Sequence, residues 1–558
     1  MDPYKEIRGM DFFSTDKMLM DFLKEYDAAF LERNRQSLSD FGLWVGTEVD
    51  EQAEYSDRYA EPKLEAFEKY GNKTNRIVFN PWYKKAHAEA YARGIIGKAY
   101  GENPEPHLIS FVMGYLLSHT DISIHCPVTM TGAVAYVLDT LAPEAVKEKY
   151  LHQLIRMDGK SLSGGTWATE LHGGSDVGAT TTVARKSGNA FELTGLKWFT
   201  SNADSGLAVA TARPDESIRG SKGLGLYLVP SHLDDGKQNY YHIRRLKEKL
   251  GTRALATGEI DLEGTFAEEI VPPPYGLKAM MEALEYSRIH NTVSASASHR
   301  RAFLEAMAWT RQREAFGHNI LQYPMVKDEI LKILFYLEAS FALSFESASY
   351  FDKSLSDENH RPWLRLATAL AKYQTAEWAV QATKDSMEII GGNAYTNEFP
   401  MSRIMRDVYS LILWEGPANI QAIEVARMCT GKNQIAYDAF RKKIAGFIHP
   451  VTSTWKAEAV YVNEQMKIIE SFVSAMQADP AAIQIYARKA MAAMSRTLAA
   501  ALLLNKAHKA VLQNNNFRSF LVAKGYIDLL KQVTTPGSEL LNHRHYLAIL
   551  NHEPVYQL

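Results

Sequence analysis

Thr169-Glu-Leu-His-Gly-Gly-Ser-Asp-Val177 is a polar loop that opens the one segment of this chain not reading as helix. From 161 to 276, about a fifth of the length, fall 16 of the 34 glycines, among short alternating apolar runs. That period of two is the signature of strands. Candidate strands are Thr180–Ala184, Ala190–Thr194, Leu207–Thr211, Gly225–Val229 and Gly258–Leu262, with turns at Lys186-Ser-Gly-Asn189 and Arg213-Pro-Asp215. A small antiparallel barrel or sandwich is expected here.

On either side the period is helical. Residues 1 to 160 read mainly as helices punctuated by Pro104, Pro106, Pro127 and Pro143, with an inter-helix turn at Asp139-Thr-Leu-Ala-Pro-Glu144. After Pro272-Pro-Pro-Tyr-Gly276 the helical period returns, broken near Gly317, Glu358-Asn-His-Arg-Pro362, Gly391-Gly392 and Gly416-Pro417. Long helices of a bundle follow from this. A second helical unit starts near Gly431: Met466, Ile469, Phe472, Val473 and Met476 share a face, and Asp479-Pro480 reads as an N-cap with Pro at the first helical position. The expected architecture is therefore α+β and multi-domain: a helical domain at 1–160, a β domain at 161–276, a helical bundle at 277–430 and an additional basic helical domain at 431–558.

Composition sets the outer bounds. A chain of 558 residues is too long for one core, and 46% hydrophobic with 23% charged residues excludes a disordered chain. Cys126 and Cys429 are the only cysteines, so neither a disulfide framework nor a CxxC site is available, and a reducing compartment is expected. The opening MDPYKEIRGMDFF lacks the apolar core of a signal peptide, which points to the cytoplasm. The apolar run from Ile330 to Phe345 is interrupted by Lys332 and Glu338, short of the roughly 18 residues a membrane span needs.

Net charge is −3, but residues 431–558 hold 15 Lys and Arg against 8 Asp and Glu, or +7, leaving −10 for residues 1–430. Such a tail either meets an anionic partner or docks on an acidic neighbour, and charge alone leaves both open.

Several local segments offer groups suited to a phosphate or a flat ring, and each has an ordinary structural reading beside it. No Gly-x-Gly-x-x-Gly, P-loop or Gly-x-Ser-x-Gly elbow occurs, so a dinucleotide Rossmann unit, a P-loop and hydrolase chemistry lack support. In the 169–177 loop, paired glycines let backbone N–H groups approach an anion while Thr169 and Ser175 supply hydroxyls; an ordinary turn would look the same. Gly195-Leu-Lys-Trp-Phe-Thr-Ser-Asn202 sets aromatic faces beside hydroxyls, suited to a heteroaromatic ring or to a buried barrel edge. Arg311-Gln-Arg-Glu-Ala-Phe-Gly317 offers guanidinium groups near a glycine, or a solvated helix face. In Leu411-Ile-Leu-Trp-Glu-Gly-Pro417 one carboxylate, Glu415, stands in an apolar run; such surroundings raise a carboxyl toward a useful general base, whereas a helix N-terminus would favour its charged form. His543, His545 and His552 lack zinc-site spacing, so no metal site is expected.

Taken in order, these segments resemble the acyl-CoA dehydrogenase flavoenzymes: Thr-Glu-x-x-x-Gly-Ser-Asp, Gly-x-Lys-x-Trp/Phe-x-Ser/Thr-Asn, Arg-x-x-Phe-Gly, Gly-Gly-Asn, Met-Arg-Asp and a Glu-Gly turn. The resemblance covers about 80 to 430. Cys126-Pro-Val-Thr-Met-Thr131, Phe316-Gly-x-x-x-x-Gln-x-Pro324, Trp414-Glu-Gly416 and the extra C-terminal helices look most like its AidB-type branch. It implies FAD as cofactor, bound between the β domain and the second helical domain, and usually a homotetramer. By the same resemblance Trp167, Ala168, Thr169, Gly174 and Ser175 bind the flavin ring system and pyrophosphate, and Phe199 and Ser201 lie against the isoalloxazine. Arg313 and Phe316 reach FAD across a subunit interface. Glu388, Gly392 and Asn419 complete the cofactor set, Glu388 and Asn419 standing where many members carry Gln. Pro417 and Pro324 replace a hydroxyl residue and a frequent Gln.

The implied reaction is α,β-dehydrogenation of an acyl-CoA thioester to the trans-2-enoyl-CoA. Glu415 resembles the family's base, with Glu285 and Arg288 as polar contacts to the substrate and Ser287 at the alternative base position. An electron-transfer flavoprotein is the implied acceptor; transfer to oxygen would make the protein an oxidase. The alternative is an AidB-type flavin-containing DNA-binding stress-response protein with little dehydrogenase activity, using the basic tail and Arg441-Lys-Lys443 on phosphates.

Overall fold

The computed structural model describes residues 6–431, 434–532 and 540–558. The first five residues of the opening stretch and residues 432–433, near the expected start of the tail domain, lie outside the described residues. The chain divides into two compact units, one of residues 47–290 and one of Asn291–Leu558 together with the residues up to Gly46.

In the 47–290 unit, helices start where the sequence offers caps. Asn80 precedes Pro81 and its side chain accepts from Tyr83 N; Asp121 accepts from the backbone N–H groups of Ser123 and Ile124 to open the helix Ile122–Leu141. That helix ends at the anticipated turn, and Glu144–Leu154 begins after Pro143. Every residue of Leu108–Leu117 is buried, as expected of a helix apolar all round.

The reading of residues 1–160 as mainly helical needs one correction. Lys63–Phe67 (β1) and Lys73–Val78 (β2) pair as an antiparallel hairpin. The alternation is only five and six residues long, between Pro62 and Pro81 and around Gly71, and helix formers on both sides mask it.

The remaining strands are Gly164–Trp167 (β3), Val183–Ser187 (β4), Ala190–Ser201 (β5), Leu207–Ala212 (β6), Gly225–Pro230 (β7), Tyr241–Leu246 (β8) and Thr257–Val271 (β9). They form one seven-stranded sheet in the order β3-β6-β7-β9-β5-β4, with β8 also on β9. The long β9 pairs with β7 near its C-terminal end and with β5 and β8 near its start, with register shifts in each ladder. The sheet surrounds a core of Trp167, Leu193, Tyr227, Val229, Ile243, Ile260 and Leu262. Burial of each such side chain contributes about 1.5–3 kcal/mol. Two features depart from the expected antiparallel barrel. β3 and β6 run parallel. The strand expected at Thr180 starts instead at Val183, because the N–H groups of Thr181 and Thr182 bond to the Glu170 carboxylate rather than to a neighbouring strand.

The other unit is helical apart from the short hairpin Glu314–Ala315 (β10) and His318–Asn319 (β11). Pro324–Ser356, Arg361–Ile390, Pro400–Leu413 and Ala418–Thr430 end at the anticipated breaks. Ile435–Ile448, Lys456–Ala478, Ile483–Asn514 and Arg518–Lys531 follow. Asp479 accepts from Ala481 N ahead of Pro480, as read. Of the expected face on Lys456–Ala478, Ile469, Val473 and Met476 are buried, with Met466 and Phe472 at the margin.

Several of the tail's basic side chains turn toward carboxylates of the earlier helices in the same unit. Arg518 and Lys506 meet buried Glu338, Lys443 meets Glu346 at 3.0 Å, His543 meets Asp328 at 2.6 Å, and Lys509 reaches Glu25. Docking on an acidic neighbour is thus what these groups do. Among the described residues no helix is long and apolar enough to cross a membrane.

Candidate functional site

The sheet-bearing unit brings two of the expected cofactor segments together. The loop from Trp167 to Ser175 leaves β3, and the Thr169 carbonyl accepts from Trp198 N (2.9 Å) on β5. The loop folds on itself so closely that a Cβ at Gly174 would lie 2.5 Å from Thr169 Oγ1, so a side chain there would displace the hydroxyl. Gly174 and Ser175 are exposed, and Phe199 is 55% exposed on β5. Lys247 Nζ stands 3.3 Å from the ring centroid of Trp198 and 4.9 Å from that of Phe199. Ser201 Oγ lies 3.1 Å from Thr257 Oγ1. The exposed Ser175, the half-buried Thr169 and Ser201, glycine backbone and a solvent-facing aromatic supply donors and a platform suited to a flavin, so these residues fit the group. Trp167 itself is 1% exposed, edge-on to Tyr241 in the sheet core, so its indole is packing rather than cofactor surface.

Beneath the loop lies a pair that sequence reading passed over. Glu170 and Lys197 meet at 2.9 Å with side chains 3% and 0% exposed. Burial alone would raise the Glu170 carboxyl, but the Lys197 ammonium and the Thr181 and Thr182 hydroxyls outweigh it and hold it down at about 2. Burial keeps Lys197 below the ordinary lysine range despite Glu170. Both residues stand inside the quoted motifs; the signal was a charged residue of each sign, Glu170 beside Thr169 and Lys197 beside Trp198.

Glu285 and Arg288, the expected substrate contacts, are buried on one turn of the helix Gly276–Gln312 with their charged groups 3.8 Å apart. Ser287, between them, is also buried.

The helical unit carries the expected base. Glu415 and Gly416 form a turn between Pro400–Leu413 and Ala418–Thr430, both left-handed, with φ of 57° and 96°. A non-glycine residue there costs on the order of 1 kcal/mol or more and persists only when its surroundings impose it. Gln421 Nε2 donates to the carbonyls of Glu415 (2.9 Å) and Gly416 (3.1 Å), and Lys372 Nζ donates to Gly416 O (2.7 Å). Glu415 Oε2 is shielded from solvent. Gln421 and Lys372 were not anticipated, because nothing in a lone Gln on the following helix or a lone Lys on an earlier one announces that it holds a turn.

Arg313 is exposed, 5.6 Å from the ring of Trp309 and beside Gly391. Phe316, at the tip of the β10–β11 hairpin, is 96% exposed with φ 52°. Gly392 and Asn419 are exposed, and Glu388, 73% exposed, pairs with Lys384 at 2.7 Å. Exposed guanidinium, glycine and amide groups suit a pyrophosphate and an adenine edge. Among the described residues no cluster of three or more His, Cys, Asp or Glu is placed to hold a metal ion.

Residues 165–265 match the acyl-CoA dehydrogenase middle domain, 275–429 the acyl-CoA dehydrogenase C-terminal domain, and 4–158 the N-terminal domain of the adaptive response protein AidB. Acyl-CoA dehydrogenase family member 11 of Caenorhabditis elegans is 30% identical over 466 residues, 79% of this chain and 73% of that protein. The chain belongs to the acyl-CoA dehydrogenase family. Putative acyl-CoA dehydrogenase AidB of Escherichia coli is 27% identical over 380 residues, 66% of this chain and 69% of its own length. The fold matches the crystal structure of Caenorhabditis elegans ACDH-11 in complex with C11-CoA with a TM-score of 0.84 at 24% identity, covering 98% of this chain and 96% of that one. Acyl-CoA dehydrogenases bind FAD.

Proposed function

We propose that this acyl-CoA dehydrogenase family member oxidises an acyl-CoA thioester to its trans-2-enoyl product, with Glu415 as the base that removes the α-proton. The observation that carries this reading is the Glu415 turn: a carboxylate on a strained left-handed backbone, with one oxygen shielded and both turn carbonyls clamped by Gln421 and Lys372. Strain maintained at a carboxylate is the mark of a group held for chemistry. FAD, when bound, supplies the hydride acceptor.

Each group on this chain then has a role. Thr169, Ser175 and the Gly173-Gly174 backbone hold the flavin and its pyrophosphate, and Phe199 and Ser201 face the ring. Arg313 offers its guanidinium to the phosphates, with Gly392 and Asn419 nearer the adenosine end. Glu285 and Arg288 orient the thioester, and Glu415 takes the proton. The C11-CoA bound to the Caenorhabditis elegans relative supports a CoA thioester as ligand class. The exposed Phe316 supports a homo-oligomer, a tetramer by family likeness, and an electron-transfer flavoprotein is the proposed acceptor. Neither Cys126 nor Cys429 is in a disulfide, which suits a reducing cytoplasm. The AidB-type reading, action on nucleic acid through the tail, has less support, because Lys443, Lys506, Lys509 and Arg518 are engaged by carboxylates.

The test is the visible spectrum of the purified protein, before and after anaerobic addition of acyl-CoA thioesters of graded length, beside Glu415→Gln. Bleaching of the flavin band by one chain-length class in the wild type but not in the variant is the expected result. Flavin that no thioester bleaches would overturn the dehydrogenase reading and favour the AidB-type one.

A further inference from the structure

We propose that Glu170 and Lys197 act as a positioning pair, locking the loop from Trp167 to Ser175 onto β5 so that its hydroxyls and backbone are held in register with Phe199 and Ser201 for the cofactor. The inference rests on the reading that this unit binds FAD.

The geometry is that of a staple on which five donors converge. Glu170 Oε2 accepts from Thr181 N (2.7 Å) and Thr181 Oγ1 (2.6 Å), and Oε1 accepts from Thr182 N (3.1 Å), Thr182 Oγ1 (2.5 Å) and Lys197 Nζ (2.9 Å). Lys197 Nζ also donates to Thr211 O on β6 (2.8 Å). One buried carboxylate thereby ties the loop to the segment entering β4, to β5 and, through the lysine, to β6. Glu170 is the residue after Thr169, Lys197 the residue before Trp198, and Trp198 N donates to Thr169 O. Glu170 therefore sits one residue from Thr169, and Lys197 two residues from Phe199, both expected flavin contacts. The Glu170 carbonyl also accepts from Gly173 N (2.9 Å), which sets the turn into Gly174 and Ser175.

A buried ion pair is weak evidence of stabilisation, since a well-packed apolar pair of the same volume often does as well. What an apolar pair cannot reproduce is a point at which five donors converge, which fixes three backbone segments to hydrogen-bond tolerance. Sites that bind a rigid ring need that precision from residues that never touch it.

The experiment compares FAD release from the purified, FAD-loaded full-length protein, followed by the rise of flavin fluorescence on dilution, together with the shape of the bound flavin's visible bands and the melting temperature. The variants are Glu170→Gln, Lys197→Met and Thr182→Val, with Leu193→Ala, a fully buried position in the same sheet core, as the control for destabilisation. Glu170→Gln and Lys197→Met are expected to release FAD at least tenfold faster and to shift the flavin bands, Thr182→Val to do so severalfold, and Leu193→Ala to melt lower while keeping FAD. If Glu170→Gln does not fold, Thr182→Val, which removes one hydroxyl, decides. Wild-type release from Thr182→Val and Lys197→Met would overturn the inference, as would FAD loss from Leu193→Ala equal to theirs at equal melting temperature. A wild-type protein that takes up no FAD would remove the parent reading and this inference with it.

Discussion

The Gln421 side-chain amide donates to two consecutive carbonyls, Glu415 O at 2.9 Å and Gly416 O at 3.1 Å, so one residue on the following helix holds both left-handed residues of the turn. A Cβ at Gly416 would lie 2.9 Å from Gln421 Nε2, which is why the turn needs glycine there. A hydrogen bond contributes about 1 kcal/mol net, and a left-handed non-glycine residue costs on the order of 1–3 kcal/mol. Without the amide, Glu415 relaxes away from its position. Gln421→Leu is therefore expected to slow thioester-dependent flavin bleaching about tenfold or more, the equivalent of roughly 1.4 kcal/mol, with FAD content unchanged. Stopped-flow bleaching measures it, and a wild-type rate would show that the clamp is not needed.

Arg518 and Lys506, both from the tail, meet Glu338 inside the helical unit, with Glu338 and Arg518 side chains 1% and 2% exposed. Burial would raise the Glu338 carboxyl, but Arg518, Lys506 and His552 hold it well below the usual range. A carboxyl depressed on folding stabilises above its unfolded value of about 4.3, and that contribution is lost as pH falls. Removing one partner strands a buried charge, so Arg518→Leu is expected to cost about 3–5 kcal/mol at pH 7, while Glu338→Leu with Arg518→Leu recovers most of it. Melting curves of the single and double variants decide, and a single variant as stable as wild type would refute the assignment.

The same ion cluster shows what the sequence could and could not disclose. Glu338 was legible only as an interruption of an apolar run, because charge spacing does not say which residue 180 positions later will meet it. The ordered motifs pointed to Thr169, Phe199, Arg313 and Glu415 as candidates, since each combines a glycine or a turn with its chemistry over a few residues. Of the five anticipated strands, β6 and β7 are buried throughout and read as short apolar runs. β8 carries only a short alternation, with Tyr241 and Ile243 buried, β3 is four residues long, and β1–β2 lies among helix formers. Lys372, Gln421, Glu170 and Lys197 act through contacts between elements, and that is the information a single chain read in order lacks.

His125 Nε2 and His290 Nδ1 lie 3.0 Å apart in the core of the 47–290 unit, with Ser118 Oγ on His125 Nδ1 at 2.8 Å. Such an N–H to N contact requires one of the facing nitrogens to be unprotonated. Burial pushes His125 down to about 3; burial, then His125 and His107, hold His290 well below 6.5. Because the unfolded chain protonates near 6.5 and the folded one far lower, this stability is fully present above about pH 6.5 and falls as pH drops below it, by up to about 1.4 kcal/mol per pH unit for each histidine. Denaturation midpoints from pH 7 to 5 should fall steeply in wild type and more gently in His290→Phe, whatever that variant's stability at pH 7. Equal slopes would contradict this.

Phe316 is almost wholly in water at the tip of β10–β11, yet the hairpin beneath it is firmly built. Ile320 N donates to Arg313 O at 2.9 Å, and Tyr323 OH donates to Ala315 O at 2.7 Å and Phe316 O at 3.2 Å. Exposing a phenylalanine forgoes about 1.5–3 kcal/mol of burial, and a rigid support fixes the ring's direction without covering it. A second copy of the chain is the proposed cover, with Arg313, three residues before Phe316, brought to that copy's cofactor. Phe316→Asp is expected to lower both the native mass by light scattering and the FAD content, with little change in the melting of the dissociated chain, since the tip contributes nothing to its core. Wild-type mass and FAD content in this variant would mean that the hairpin neither joins subunits nor helps hold the flavin.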